Sequence, residues 1–310
     1  MPSILTHYYF IKDSNKEKFT FLENEEKVMY LGAQGVDPFY YYGNILNRFN
    51  KEEVNNFAKY IHTQECLSLY VHFINEANKL SKEHKDLVYS YIFGLLNHYV
   101  LDKTTHPYIF YKTGVKGDFM LAHQKFETSI DVYLKAIKND SIHPKNAIKV
   151  DNTALEIISK IYYSYSEKYN LGLEEDTFIK AYKDMYNSQK ILYSSNGLKK
   201  AFFNTFFKNT KANALSYPKR VNPDVDYLNE KKTLWQYPHK NFKCSLSFNE
   251  LLDFANKDFI KVSSILLDAY NNLDYEDKLN KFINNITHNG TLVNEEMLYS
   301  EVNWVESEDC

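Results

Sequence analysis

The chain is short of the residues that punctuate structure. Its 310 residues include only nine glycines and seven prolines. Glycine at about 3% is less than half the usual share of about 7%. A many-stranded sandwich or barrel needs a turn roughly every ten residues, and so few turn formers argue against one. Cysteine is scarcer still. Cys66, Cys244 and Cys310 are an odd, widely spaced set with no C-x-x-C, which supports neither a disulfide framework nor a thiolate zinc site. An excess of one charge is also missing. Lys and Arg total 37 against 40 for Asp and Glu, a net charge of −3, so there is no polycationic footprint and no stable nucleic-acid partner is expected. The most apolar window, Leu87 to Leu101, is interrupted by Ser90, Asn97 and His98 and is too short to span a bilayer. The opening MPSILTHYYFIKDSNKEKF shows neither the basic start nor the apolar stretch of a secretory signal. A cytoplasmic location is the expectation.

What is present points to helices. Apolar residues make up 44% of the chain and aromatics 16%, with 27 Tyr and 21 Phe, enough for a sizeable core. Residues 44–93 and 239–289 contain no Gly and no Pro, and uninterrupted stretches of that length favour helix. Phe57, Ile61, Leu67, Tyr70, Phe73, Ile74 and Ala77 read as one apolar stripe at helical spacing, with Glu52, Glu53, Lys59 and Glu76 toward water. A second helix is predicted from about Lys85 to Lys103 and a third from Phe119 to Ile137. Others are predicted at 152–169, 175–195, 198–208 and 248–272, the last with Ser247 as N-cap and Glu250 three residues on. Gly32, Gly35, Pro38 and Gly43 make one loop, Pro107, Gly114 and Gly117 another, and Pro218 to Pro238 a polar connector. The expected architecture is all-α: a multi-helix domain over residues 1–215 with a helical C-terminal extension over 216–310 packed on it.

Chemistry concentrates in the first part of the chain. Seven of the ten histidines precede residue 124. GLLNHYVLDKTTHP and then LAHQKFE supply His98, Asp102, His106, His123 and Glu127. His98 with Asp102 and His123 with Glu127 are i,i+4 pairs, so each pair leaves one face of its helix. Neighbouring helices that each offer imidazole and carboxylate are a way to build a metal site in a helical core. That donor set, without thiolate, suits zinc in a catalytic site. The motif alone is cheap: His72 and Glu76 share it and read as an ordinary exposed pair. The other two pairs stand in apolar surroundings, where an uncompensated charge is costly. His106, just before Pro107, is expected at a helix end, free to swing toward the same cavity from a loop. His84, His143, His239 and His288 have no partner pattern and read as surface residues, and Trp235 reads as a packing anchor.

At this point the sequence resembles the zinc-dependent phospholipase C family, in the superfamily that also holds S1/P1-type single-strand nucleases. By motif the likeness covers about residues 1–130. The family's ligand order is a His near the N-terminus, an Asp in a Gly-containing loop, a His, His-x-x-x-Asp, a His, and His-x-x-x-(Glu or Asp). His7, Asp37, His62, His98 with Asp102, His106, and His123 with Glu127 supply it in order. The resemblance implies an all-α fold enclosing up to three zinc ions in a cleft. It assigns His62, His98, Asp37 and Asp102 to one zinc, and His106, His123 and Glu127 to a second. His7 and a bridging Asp102 would hold the third. In the family that third site is completed by the first residue of the mature chain, typically Trp. This sequence departs there: it begins Met1-Pro2, so either removal of Met1 leaves the Pro2 amine to complete the site, or the third site is weaker or completed by solvent. The resemblance also suggests Asp37 as the general base of a metal-activated water; without the histidines it would read as a turn residue before Pro38.

The implied activity is hydrolysis of a phosphodiester, a phospholipid or a related compound, with transient contact to a membrane surface. Glu127 leans toward the phospholipase branch, because the nuclease branch ends that motif with Asp. A nuclease or nucleotidase, and an inactive metal-binding member, are the alternatives. Phe39, Tyr40, Tyr41, Tyr42, Tyr108 and Phe110 could line a substrate pocket, where aromatic faces suit quaternary ammonium groups, or belong to the core.

Overall fold

The computed structural model describes residues 4–44, 50–64, 66–116 and 119–298. It is all-α. The helices in chain order are α1 (Ile4–Lys12), a 3-10 turn (Thr20–Leu22), α2 (Glu26–Gly32), α3 (Pro38–Tyr41), α4 (Lys51–Thr63), α5 (Leu67–Ala77), α6 (Lys82–Thr113), α7 (Phe119–Ile137), α8 (Pro144–Ala147), α9 (Asn152–Tyr169), α10 (Thr177–Leu192), α11 (Leu198–Phe206), α12 (Lys211–Ala214), α13 (Phe248–Tyr270) and α14 (Glu276–Ile283). The only strands among the described residues are β1 (Trp235–Gln236) and β2 (Lys243–Cys244), an antiparallel pair between α12 and α13. No helix of the described residues is long and apolar enough to cross a membrane.

α6 is the axis of the fold. From Leu87 to Asp102 it is buried on every side, as a helix enclosed by others must be. α2, α5 and α13 pack along it. At the crossing with α2, Gly94 and Gly32 let the two backbones meet: a Cβ on Gly94 would lie 2.3 Å from the Met29 carbonyl oxygen, and one on Gly32 would lie 2.2 Å from that of Tyr91. The aromatic residues fill the surrounding core. Phe39 meets Phe57 and Tyr162 edge-on at ring separations of 4.9 and 5.0 Å. Each such ring contributes roughly 1.5–3 kcal/mol on burial. Buried tyrosines find partners for their hydroxyls: Tyr91 and Tyr162 bond each other at 3.0 Å, and Tyr108 donates to the Tyr227 carbonyl at 2.9 Å.

Several helix ends follow from local chemistry. Ser247 opens α13 with a reciprocal capping box to Glu250. Asp151 caps α9 by accepting from the Ala154 amide at 2.9 Å. Asn139, in left-handed backbone with φ 47°, follows the end of α7. Trp235 is the expected anchor: it is buried, and its indole nitrogen donates to the Leu246 carbonyl at 2.9 Å.

Three expectations need correction. The stripe from Phe57 to Ala77 is two helices, α4 and α5, broken at Gln64 after Thr63. Gly32 and Pro38 sit within α2 and α3, not in one continuous loop. The helix begun near Lys85 does not stop at Lys103, and Pro107 does not end it. A proline removes one intrahelical bond and crowds the carbonyl four residues back. Here that carbonyl, of Lys103, faces Gly290, where a Cβ would lie 2.3 Å away. Packing on both sides carries the helix through to Gly114, whose φ of 79° closes it.

Candidate metal centre

α6 brings His98, Asp102 and His106 to one face at successive i+4 steps, all buried. His106 is therefore a helical ligand-type residue and not a loop one. α7 crosses nearby and adds His123 and Glu127. α1 supplies His7, the end of α4 supplies His62, and Asp37 stands at the start of α3 with Pro38 in its first turn. All eight residues picked from the sequence are brought together. They form three groups, each with its ligand atoms within 4.8 Å of one another: His7, His98 and Asp102; Asp37, His62 and His98; and His106, His123 and Glu127.

The spacing is that of donors around a common point. Asp102 Oδ1 lies 3.2 Å from His7 Nε2, and its Oδ2 lies 3.1 Å from His98 Nε2. Asp37 Oδ1 is 3.2 Å from His62 Nε2. Glu127 Oε1 is 3.0 Å from His123 Nε2 and 3.6 Å from His106 Nε2. Tetrahedral zinc with ligands at about 2.0–2.1 Å sets them roughly 3.3 Å apart. Several atoms of the cluster are buried without a hydrogen bond among the described residues: both oxygens of Asp37, Asp102 Oδ2, Glu127 Oε2, and the Nε2 atoms of His98 and His106. Buried polar groups left unpaired are costly, and a cation among them removes that cost.

The outward-facing nitrogens fix the tautomers. His62 Nδ1 donates to the Ala58 carbonyl at 2.8 Å, His98 Nδ1 to that of Ala33 at 3.2 Å, and His106 Nδ1 to that of His288 at 2.8 Å. A carbonyl only accepts, so each Nδ1 carries the proton and each Nε2 presents a lone pair, the arrangement a metal ligand needs. Gly35 makes room for the His98 ring. Its φ is 60°, and a Cβ there would lie 2.2 Å from His98 Cδ2. Among the described residues His7 and His123 have no partner at Nδ1; His7 stacks on His98 with ring centroids 4.5 Å apart.

Electrostatics favour charged carboxylates here. Burial alone pushes the Asp102 carboxyl up, but His106, His98 and His7 outweigh it and hold the group well below the usual carboxylate range. Glu127 is likewise held low against its burial, chiefly by His123. Burial pushes His123 down, toward the neutral imidazole that binds metal.

The centre opens on a cleft of about 910 Å³. Its wall includes His62, His106 and His123 from the centre, the apolar Phe110, Phe119 and Met120, and the cations Lys59, Lys116 and Lys211. Of the aromatics named from sequence, Tyr40 and Phe110 line the cleft; Phe39, Tyr41, Tyr42 and Tyr108 are core.

Sequence reasoning misplaced His288 and His72 and missed Asp131. His288 is buried beside the centre. Its amide donates to the His62 carbonyl at 3.1 Å, its carbonyl holds His106, and burial together with His62 and His98 keeps its ring well below the usual imidazole range. His239 is buried too. His84 is half-exposed, and His143 caps α8. His72 is not exposed: it is buried and its Nε2 pairs with Ser164 Oγ at 2.8 Å, away from the centre. Asp131, one turn beyond Glu127, accepts from the Leu5 amide at 2.9 Å, the Thr6 amide at 2.6 Å and the Thr6 hydroxyl at 2.8 Å. It thereby holds the start of α1, and so His7. Its i+4 spacing from Glu127 puts it on the same face of α7, but nothing along the chain marks Leu5 and Thr6 as its partners. The Pro2 amine lies outside the described residues.

An all-α fold around overlapping buried groups of imidazoles and carboxylates defines a helical protein with a candidate multinuclear metal centre. The family model for zinc-dependent phospholipase C matches residues 4–217, and the chain belongs to that family. The match extends well beyond the 130 or so residues that the motifs cover. Comparisons with curated proteins and with solved structures give no match.

Proposed function

We propose that the protein is a zinc-dependent phosphodiester hydrolase of phospholipase C type. One observation carries this reading: the Asp102 carboxylate turns Oδ1 toward His7 and Oδ2 toward His98, as a carboxylate set between two ions would, while His106, His123 and Glu127 form a further group beside it. Asp37, His62, His98 and Asp102 would hold one zinc, His106, His123 and Glu127 a second, and His7 with Asp102 a third. Bound zinc would neutralise the phosphodiester oxygens, lower the pKa of a water toward ~7 and stabilise the leaving alkoxide.

The chain's own residues do the rest. Asp37, with both oxygens buried and without a hydrogen bond among the described residues, orients the attacking water and takes its proton. His62, His98 and His106, fixed by main-chain carbonyls, need no reorganisation during the reaction, which is where such sites gain most of their rate. Lys59, Lys116 and Lys211 draw the anionic substrate into the cleft. Phe110, Phe119 and Met120 give apolar surface for lipid and exclude water from it. Attack at phosphorus breaks the bond to the glycerol oxygen and releases diacylglycerol and a phosphorylated headgroup.

The test is release of phosphocholine from phosphatidylcholine by zinc-loaded protein, beside cleavage of single-stranded DNA. Headgroup release without DNA cleavage is the expected result. DNA cleavage without headgroup release would move the assignment to the nuclease branch. Neither activity, with zinc bound, would contradict the hydrolase reading.

A further inference from the structure

Charge is unevenly distributed along this chain. Between Asp184 and Asp224 there is no acidic residue and there are seven basic ones, although acids outnumber bases overall. α11 lies in the middle of this interval and is apolar on its outer side. Phe203 faces inward and is buried, while Leu198, Phe202, Phe206 and Phe207 are 66%, 52%, 68% and 45% exposed. The outer rings form one patch, with Phe202 5.0 Å from Phe206 and 5.8 Å from Phe207 between ring centroids. Scattered single apolar residues need no explanation, but contiguous exposed aromatics do.

The fold sets cations around that patch. Lys208 follows it directly and is exposed. Lys219 and Arg220, also exposed, are brought to its N-terminal end, where Gly197 lies against the Lys219 backbone. The buried Lys200 side chain donates to the Asn213 carbonyl at 2.8 Å, and Thr210 donates to the Phe207 carbonyl at 2.7 Å. These bonds fix α11 to α12, whose first residue, Lys211, lines the cleft. The patch therefore adjoins the cleft wall.

We propose that α11 and Phe207 form a docking surface for an anionic lipid bilayer. Leu198, Phe202, Phe206 and Phe207 enter the headgroup region, and Lys208, Lys219 and Arg220 meet the negative headgroups. Large aromatics flanked by cations, on a stretch of chain without acids, are suited to that interface. A protein partner would need its own complementary face; a bilayer needs only the apolar ridge and the charge. The surface lies outside the metal centre, so it stands or falls separately from the hydrolase reading.

Sedimentation with sucrose-loaded vesicles tests it, because it reads binding without turnover. The full-length zinc-loaded protein should pellet with phosphatidylcholine vesicles containing about 30% phosphatidylserine and much less with phosphatidylcholine alone, and salt should weaken the binding. The double variant Phe202→Asp/Phe206→Asp should bind at least about tenfold more weakly, with unchanged zinc content and circular dichroism. Should that variant misfold, Lys208→Glu/Arg220→Glu supplies the same readout through charge. The proposal is overturned if the wild-type protein does not pellet with the anionic vesicles, or if the folded variants pellet as well as wild type. It is also overturned if light scattering shows a dimer that Phe202→Asp/Phe206→Asp turns into a monomer, which would assign the patch to a second copy of the chain.

Discussion

α6 and α7 carry acids and histidines at the same spacing and use them differently. On α6, His98, Asp102 and His106 all face the cluster. On α7, His123 and Glu127 do so, while Asp131, one turn further, accepts from the first amides of α1. An i,i+4,i+8 series fixes a common face, but what stands opposite each position decides its work. Around Asp102 stand four imidazoles, those of His7, His62, His98 and His106. Opposite Asp131 are amides that a helix start leaves without intrahelical partners. One carboxylate is a candidate ligand and the other a support for one.

The largest effect that would break this contrast is expected at Asp102. Asp102→Asn should lose more than one zinc per chain by plasma mass spectrometry, because both oxygens of the carboxylate are used, and hydrolysis should fall by more than the ~10–100-fold typical of outer-shell changes. Loss of one ion or fewer would mean that Asp102 is not shared. Next comes Gly35→Ala. Its Cβ would meet the His98 ring at 2.2 Å in left-handed backbone. A stability loss of about 1–3 kcal/mol and metal binding weaker by about 10–100-fold should appear in thermal melts and in chelator competition. Asp131→Ala should cost about 2–4 kcal/mol, since several buried donors lose their acceptor, yet release at most one zinc, through His7. If it releases as much as Asp102→Asn, the distinction between the two helices fails.

Smaller effects sharpen the comparison from outside the cluster. Burial holds the Lys211 ammonium down to about 8. It is charged below that pH and neutral above, so activity on an anionic substrate should decline as pH rises through about 8, and Lys211→Met should be slower at pH 7 and lack that decline. The smallest effect is expected at His72→Ala, which shares the i,i+4 motif with Glu76 but lies apart from the cluster. It should leave zinc content unchanged.

The parts of this site legible in the sequence were the local ones. Pairs such as His98 with Asp102 are set by helical geometry, and Ser247 with Glu250 marks a helix start by its own chemistry. Pro107 misled because its rule is local, whereas the surrounding helices and Gly290 carry α6 past it. His288 reaches His106 across 182 residues of sequence, and Asp131 reaches Thr6 across 125. Neither role leaves a mark in spacing along the chain, because it depends on which segments the core brings together. The aromatic run Phe39 to Tyr42 divided between core and cleft for the same reason: a four-residue helix turns Tyr40 outward and its neighbours inward.

Zinc content bears most directly on the central claim, that the buried histidines and carboxylates form a metal centre. Protein purified without chelator and measured by plasma mass spectrometry should carry about two to three zinc ions per chain. Fewer than about one per chain, with the fold intact by circular dichroism, would contradict it.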